Sequence, residues 1–372
     1  MPRARVPQRI AALATRSRPA AASTAAAGAV RQADAHVAAA SSRRIDAGAI
    51  NRLASGPRIG DVHRPDNTLQ CLSQADIDAL ASALRGMVPG GEASGPAREN
   101  AVRQTLRAFA DELHAEMTGY DEMFVSHPAV AATLGDAGTD TLRALMRRAH
   151  MRVSDVEKLD ASGRRTLHLR VYFSGSEKWQ DAPQAVRSVL GATGPIDEAA
   201  RQLGEQFAAL LPACGARLEW VSGLSMGGAS AQTFLAALES RLSFDRPPAM
   251  LLLDPQLLND AQARHARRGG PLPVDFEAPR GLAITLDLAE APHRSLVSKM
   301  KGLAGYRSPG LTRLKLGLLA NDGPGGERPL PRPRVFGYHA DLDLYAAALT
   351  RFCAAEDQMP GAAAQTGPLR RA

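Results

Sequence analysis

The pentapeptide Gly223-Leu224-Ser225-Met226-Gly227 lies between a short run of β-forming residues, Leu218 to Ser222, and a helical run, Gly228 to Ser240. This pattern predicts a strand, a sharp turn at Ser225 and then a helix. Glycines leave room at a turn that a side chain would crowd. A serine hydroxyl held on such a turn projects beside the N–H groups of a helix N-terminus, so Ser225 is a candidate nucleophile. The alternative is a glycine-rich turn before an ordinary core helix.

Strand and helix patterns alternate on both sides of this turn. A helix around Leu203 to Leu211 precedes it, and β-type runs occupy residues Leu167–Phe173, Leu218–Ser222, Met250–Leu253, Leu282–Leu286 and Val335–Gly337. Such alternation predicts an α/β fold with a mostly parallel sheet, flanking helices and functional loops at the carboxyl ends of the strands. Ser225, Asp254, Asp287 and His339 are all expected at that edge.

Composition divides the chain into four parts. Residues 1–66 are predicted to be a disordered leader, because their Ala, Arg, Ser and Pro content offers no apolar stripe to offset the entropy of ordering. Residues 67–155 are predicted to be a helical segment, with one helix capped by Ser73, a second from Val102 to Met117 and a third capped by Thr139. The α/β domain is expected at 156–355 and a flexible tail at 356–372.

The formal net charge of +7 belongs to the leader. The first 44 residues hold eight arginines and one acidic residue, whereas the rest of the chain holds 37 basic and 37 acidic side chains. A neutral body lacks the basic surface that phosphate binding requires, so nucleic acid is not an expected partner. The three cysteines show neither metal-ligand nor redox-pair spacing and are expected to be reduced thiols.

The leader has the composition of a targeting segment. Arg-rich, acid-poor leaders suit organelle import and also resemble the N-termini of bacterial type III secreted effectors. We expect a secreted bacterial effector acting in a host cell, with a secretion chaperone as partner of the N-terminus. Bacterial cytoplasm and organelle import are the alternatives, and so is a solvated tail without a targeting role.

No apolar run in the sequence approaches the length of roughly 20 residues that a helix needs to cross a bilayer.

A serine nucleophile needs a base to take its proton and a carboxylate to orient the base. The chain order Ser, Asp or Glu, His predicts His339 as the base, since it follows the last strand signal; His265 and His293 are the competitors. Asp254 and Asp287 both end predicted strands, and position alone does not decide between them.

Five blocks between residues 167 and 345 resemble the class-three lipases, a family of α/β-hydrolases that includes triacylglycerol lipases and phospholipases. The blocks are Phe173-Ser174-Gly175-Ser176 with Trp179 and Asp181, Val221 to Gly228, Pro255 to Asn259, Ala283 to Asp287 and Tyr338-His339 with Tyr345. The resemblance implies an α/β-hydrolase fold and a Ser225, Asp287 and His339 triad, which selects Asp287 over Asp254. It also implies that N–H groups of Met226 and Ser176 hold the oxyanion, and that no metal or organic cofactor is required.

The chain departs from the family pattern at several positions. Leu224 stands where a histidine is usual, Ser174 stands where an arginine is usual, and the usual His-x-Gly-Phe block is absent near Gly194. The resemblance implies hydrolysis of a carboxylic ester, with a lipid acyl ester as the expected substrate. A short-chain esterase or thioesterase is one alternative, and an inactive hydrolase-fold scaffold that binds a protein partner is another.

Basic and apolar residues are interspersed between Arg294 and Leu319. An amphipathic insertion of this kind is predicted to be a lid or a membrane-surface contact. The alternative is a solvated helix packed on the sheet.

Overall fold

A computed structural model describes residues 58–59, 69–84, 87–88, 95–115, 124–159, 163, 165–175, 192–258, 262, 265–267, 281–288, 311–318 and 342–354. All of these belong to one compact unit, Ala47–Ala372. Predictions for other residues, including Ser176, His293 and His339, lie outside the described residues.

Seven strands within the described residues form one sheet. They are β1 (Arg58–Ile59), β2 (Met151–Leu159), β3 (Arg165–Phe173), β4 (Arg217–Leu224), β5 (Ala249–Leu253), β6 (Gly281–Leu288) and β7 (Leu311–Leu318). Their spatial order is β1-β7-β6-β5-β4-β3-β2. Neighbours are parallel except for β2 and β3, which pair antiparallel. The predicted α/β class with a mostly parallel sheet is confirmed.

Helices cover both faces of this sheet. They are α1 (Gln74–Ala83), α2 (Pro96–Ala115), α3 (Pro128–Ala149), α4 (Pro195–Ala213), α5 (Met226–Glu239) and α6 (Leu342–Phe352). Apolar residues of α1, α2 and α6 pack in one buried cluster, and those of α3, α4 and α5 pack in the other. The described residues therefore form three layers, helices on sheet on helices.

Strand β5 shows why a central parallel strand has no polar face. All five of its residues are buried. Leu251 and Leu253 belong to the cluster with α1, α2 and α6, whereas Met250 and Leu252 belong to the cluster with α3, α4 and α5. Because successive side chains of a strand point to opposite faces, a strand covered on both faces is apolar throughout.

The described part of the helical segment differs from the sequence prediction at its third helix. Thr139 does not cap it: α3 begins at Pro128, with His127 as the N-cap residue, whose Nδ1 accepts from the Ala129 N–H at 3.3 Å. A kink at Gly135, with φ of 65°, separates the first turns from the apolar stripe that begins at Leu142. The apolar stripe therefore predicted the part of α3 after the kink, and the part before the kink was not predicted.

Strand β2 was not predicted, because polar residues such as Arg152 and Ser154 interrupt its apolar ones. It pairs with β3 along its whole length, Met151 opposite Phe173 and Leu159 opposite Arg165. The predicted boundary between residues 155 and 156 falls inside this strand, and the division into domains stays a prediction. Arg58–Ile59, within the predicted leader, pairs with β7.

The prediction of a lid is wrong for the last part of the segment from Arg294 to Leu319. This part, Leu311–Leu318, is strand β7, paired in parallel with β6. Leu311, Leu314 and Leu316 are buried, and the apolar-polar alternation from Leu314 to Leu316 is the two-residue period of a strand. Residues 294–310 lie outside the described residues. No helix in the described ranges is long and apolar enough to span a bilayer.

Candidate active site

Ser225 occupies the turn between β4 and α5. It is the N-cap residue of α5, with φ of 54° and ψ of −118°. A positive φ is uncommon for a residue with a side chain and costs about 1–3 kcal/mol unless the surroundings impose it. Strand, strained serine turn and helix form the unit that presents the nucleophile in α/β-hydrolases. The predicted strand-turn-helix context of Ser225 is therefore present in the structure.

The glycines of the turn lie close to neighbouring atoms, which are main-chain atoms at Gly223 and Gly227 and the Pro255 ring at Gly228. A Cβ at Gly223 would come within 2.3 Å of the Gly227 carbonyl oxygen, and a Cβ at Gly227 within 2.1 Å of the Phe173 carbonyl oxygen. At Gly228 a Cβ would lie 2.5 Å from the Cβ of Pro255. These distances are far below van der Waals contact, so the sequence of the turn is dictated by the close approach of β3, α5 and the segment after β5.

Main-chain hydrogen bonds hold Ser225 at both ends. Its N–H donates to the Leu253 carbonyl at 3.0 Å, and its carbonyl accepts from the N–H of Gly228 at 3.0 Å and of Gln256 at 2.8 Å. Two of these three bonds connect the turn to the end of β5 and the segment that follows it. Hydrogen bonds to the end of β5 and to the segment after it therefore support the strained conformation of Ser225.

The segment after β3 lies against the same turn. A Cβ at Gly175 would lie 3.4 Å from the Ser225 Cβ and 3.2 Å from the Leu224 carbonyl oxygen. Ser176, the predicted oxyanion residue that follows Gly175, lies outside the described residues. Met226, the other predicted oxyanion residue, is the first residue of α5. N–H groups at a helix N-terminus carry partial positive charge, which suits a developing oxyanion.

The two candidate acids lie at the same edge of the sheet. Asp254 directly follows β5, is 9% exposed and has φ of 36°. Its N–H donates to the Ile284 carbonyl at 2.7 Å. Asp287 lies in β6, three residues beyond Ile284, which pairs with Leu253 at the end of β5. The structure describes the main chain of Asp287, and its choice over Asp254 stays a prediction.

The histidines are only partly described. His339 and His293 lie outside the described residues. His265 has its Nε2 3.3 Å from Glu198 on α4. His150, which sequence reasoning did not consider, ends α3, and its carbonyl accepts from the N–H and Oγ of Ser174 at 3.0 and 3.3 Å. Convergence of a histidine on Ser225 stays a prediction.

Two glutamines beside the turn, Gln232 and Gln256, were given no role from the sequence, although Gln256 lies in the block Pro255 to Asn259. Gln232, on α5, donates from its Nε2 to the carbonyls of Gly228 at 2.9 Å and Gln256 at 3.0 Å. Gln256 is 5% exposed. The contact between Gln232 and Gly228 could have been expected from their spacing, because the two residues lie one helical turn apart on α5. The sequence spacing does not indicate that Gln256 lies beside the Ser225 turn. In the described ranges no group of three or more His, Cys, Asp or Glu side chains is arranged to bind a metal ion.

The sequence matches no protein-family model and no curated protein. Among solved structures, a thermostable esterase from Pseudomonas putida ECU1011 is similar at 12% identity, over 67% of this chain and 94% of that protein, with a TM-score of 0.22. A Pyrobaculum calidifontis esterase is similar at 13% identity, over 68% and 95%, with a TM-score of 0.24. Esterase LipW from Mycobacterium marinum is similar at 13% identity, over 73% and 96%, with a TM-score of 0.22. Similarity at this level does not define an activity for this chain.

Proposed function

We propose that this protein is a serine hydrolase of carboxylic esters with Ser225 as its nucleophile. The observation that carries the proposal is the strained conformation of Ser225 between β4 and the N-terminus of α5. Such a turn holds the hydroxyl at the carboxyl edge of a parallel sheet, where functional groups of this fold class gather.

The proposed reaction has two stages. In the first, the Ser225 Oγ bonds to the acyl carbon while His339 takes its proton, and His339 then gives that proton to the departing alcohol. N–H groups of Met226 and Ser176 hold the oxyanion. In the second stage, water attacks the acyl-enzyme through the same base, releasing the acid and Ser225. The close approach of Gly175 to the Ser225 turn supports the oxyanion role of Ser176, because Ser176 is the next residue in the chain.

Asp287 is the proposed orienting carboxylate. One support is that the segment from Ala283 to Asp287 resembles the strand that delivers the acid in class-three lipases. The other is that β6 lies beside β5. Asp254, at the end of β5, remains the alternative acid.

A lipid acyl ester is the proposed substrate class. The five sequence blocks similar to class-three lipases support it. Contact of residues 294–310 with a membrane surface is part of this proposal, whereas residues 311–318 are excluded from it because they form β7. Secretion of the protein, with a chaperone on its leader, remains a proposal based on composition.

A hydrolysis assay with p-nitrophenyl esters of short and long acyl chains tests the proposal. We expect the wild type to prefer long chains and Ser225→Ala to lose turnover. Ser240→Ala is the matched control, because Ser240 caps the far end of α5 and its Oγ donates to the Ala237 carbonyl at 2.7 Å. Equal inactivity of wild type and Ser225→Ala would favour the scaffold hypothesis. Preference for short chains would favour the esterase or thioesterase alternative.

A further inference from the structure

Gln232 closes a ring of hydrogen bonds around the Ser225 turn. Its Nε2 donates to the carbonyls of Gly228 and Gln256 at 2.9 and 3.0 Å. The N–H of Gln256 donates to the Ser225 carbonyl at 2.8 Å, and the N–H of Gly228 donates to the same carbonyl at 3.0 Å. One side-chain amide therefore connects α5, the segment after β5 and the main chain of Ser225.

The ring joins two parts of the chain that otherwise belong to different elements. Gly228 and Gln232 are one turn apart on α5, whereas Gln256 follows β5. A side-chain amide that donates both of its hydrogens can bind two carbonyls at once, which a shorter or apolar side chain cannot do. Since Ser225 has a strained φ of 54°, its conformation depends on what holds its carbonyl in place.

From this ring we infer that Gln232 is a positioning residue for the nucleophile. It fixes the segment after β5 against α5 and thereby fixes the Ser225 carbonyl, without itself touching substrate. The inference rests on the proposed function, because its consequence is the reactivity of the Ser225 hydroxyl. Misplacement of a reacting group by about 1 Å costs roughly 100-fold in rate, so a small movement of the turn has a measurable effect.

Gln232→Met tests the role by keeping the side-chain length and removing both donors. The readouts are the rate at which a fluorophosphonate probe modifies Ser225, and kcat and KM on a p-nitrophenyl ester. We expect kcat and the labelling rate to fall by roughly tenfold to 100-fold with KM nearly unchanged, because the change affects orientation and not the acyl pocket.

Gln232→Glu adds a second readout, the pH dependence of the labelling rate, which a purely structural role of Gln232 would not change. An ionised carboxylate has no donor for the two carbonyls, whereas a protonated carboxyl has one O–H donor. The ratio of the Gln232→Glu labelling rate to the wild-type rate should therefore rise as pH falls. The full pH profile of the labelling rate is measured for each protein, so that a shifted pKa of the catalytic base in Gln232→Glu is distinguished from protonation of the new carboxyl. For Gln232→Met the same ratio should be independent of pH.

Gln202→Met is the matched control, since Gln202 lies on α4 and its Nε2 donates to Glu198 at 2.8 Å, away from the turn. Its labelling rate should equal that of the wild type. Amide hydrogen exchange at Gln256 provides a readout independent of activity, and Gln232→Met should accelerate it.

The outcomes separate the inference from the proposed function. A wild type that the probe does not label at Ser225 contradicts the proposed function, and the positioning role falls with it. A labelled wild type with Gln232→Met labelled equally fast contradicts the positioning role alone. Slower labelling with faster exchange at Gln256, together with the pH-dependent recovery of Gln232→Glu, establishes the positioning role.

Discussion

The polar groups at the carboxyl ends of strands β3 and β4 are bound differently from the polar groups nearer the beginning of these strands. At the carboxyl ends, the Ser225 turn is held by main-chain hydrogen bonds, with a strained φ at Ser225. Two buried side-chain atoms nearby, Ser230 Oγ and Gln256 Nε2, have no hydrogen-bond partner in the described part of the chain. Nearer the beginning of the strands lies a charged network of Glu112, Lys158, Arg170 and Glu219, to which the His168 ring is also hydrogen-bonded, and every one of these side chains has a partner.

Arg170 and Glu219 are at the centre of the charged network. Arg170 Nε donates to Glu219 at 2.9 Å, and the same guanidinium binds Glu112 and lies 4.3 Å over the Trp220 ring. Lys158 and His168 also bind Glu219. Burial opposes ionisation of Glu219, but the hydrogen bonds from Lys158 and Arg170 outweigh burial and lower the pKa of its carboxyl.

Paired ionisable side chains and a strained turn are therefore different kinds of indicator of a functional site. A shifted pKa in a paired network is a common structural feature, because each charge is satisfied by its neighbour. Backbone strain held by surrounding contacts is more characteristic of a functional turn. On this basis the turn is the candidate site, and the charged network is expected to contribute to the stability of the fold.

The largest expected effect is that of Gly227→Ala at the turn. The added Cβ would lie 2.1 Å from the Phe173 carbonyl oxygen and 2.5 Å from that of Ser174, so β3 and α5 must separate. We expect the free energy of unfolding to fall by about 3 kcal/mol and probe labelling of Ser225 to fall at least roughly 100-fold. Urea unfolding and labelling kinetics check this.

Gly163→Asn is the control for that substitution. Gly163 has a positive φ of 78°, a Cβ there has nothing within 4 Å, and asparagine is among the residues that adopt a positive φ most often. Its stability should fall less than that of Gly227→Ala, because only the backbone conformation and no close contact opposes the new side chain, and its labelling should be near that of the wild type. Equal, small effects of the two substitutions would show that the close contacts at Gly227 are not required.

Arg170→Met is the corresponding test of the charged network. It leaves Glu219 and Glu112 without their shared partner, and the Arg170 side chain is 20% exposed. We expect a loss of about 2 kcal/mol of unfolding free energy, less than for a fully buried pair because solvent screens part of the charge. Labelling of Ser225 should be unchanged in the folded variant. A labelling rate that falls with stability would contradict the separation of the two regions.

Glu198→Gln tests a paired charge nearer the surface, on α4. Hydrogen bonds from Arg201 lower the pKa of Glu198 from 4.5 to about 2. A folded-state pKa below the unfolded value stabilises the fold above pH 4.5, and this stabilisation is lost as pH falls toward about 2. The side chain is 38% exposed, so we expect about 1 kcal/mol at neutral pH.

The check is the difference in unfolding free energy between wild type and Glu198→Gln across pH. This difference should be constant above pH 4.5 and should narrow toward about pH 2. A difference that widens on acidification would contradict the assigned direction of the pKa shift.

Ser222→Ala has an equally small expected effect on stability, at a position on β4 between the two regions. The buried Ser222 Oγ donates to the Val171 carbonyl at 3.1 Å. Loss of one such bond should cost about 1 kcal/mol in thermal or urea unfolding. Labelling of Ser225 should not change, and a large drop would mean that the turn is more sensitive to β4 than its own contacts indicate.

The sequence predicted those elements whose periodicity is strong. Strands β3, β4, β5 and β6 and helices α4 and α5 have nearly continuous apolar runs or clear helical stripes, because burial on both faces demands them. Strand β2 was not predicted because polar residues interrupt its apolar ones. Strand β7 was missed because it lies within the longer basic stretch from Arg294 to Leu319, which was predicted to be a lid or a membrane-surface contact, with a solvated helix as the alternative. The beginning of α3 was missed because its cap, His127, is an unusual residue for that position.

For the site, the pentapeptide predicted the turn and the need for glycines. Tertiary contacts supply the rest: Gln256 reaches Ser225 because β5 is adjacent to β4, and Gly175 reaches it because β3 is adjacent on the other side. Neither contact follows from sequence spacing, since each depends on the order of strands in the sheet. The roles of Asp287, His339 and Ser176 stay predictions.

Fluorophosphonate labelling followed by mapping of the modified peptide tests the central claim most directly, because it reports activation of one hydroxyl without any assumption about substrate. We predict modification at Ser225 in the wild type, none in Ser225→Ala, and much slower modification in His339→Ala. An unmodified wild type, or modification at a different serine, would contradict the assignment of Ser225 as the nucleophile.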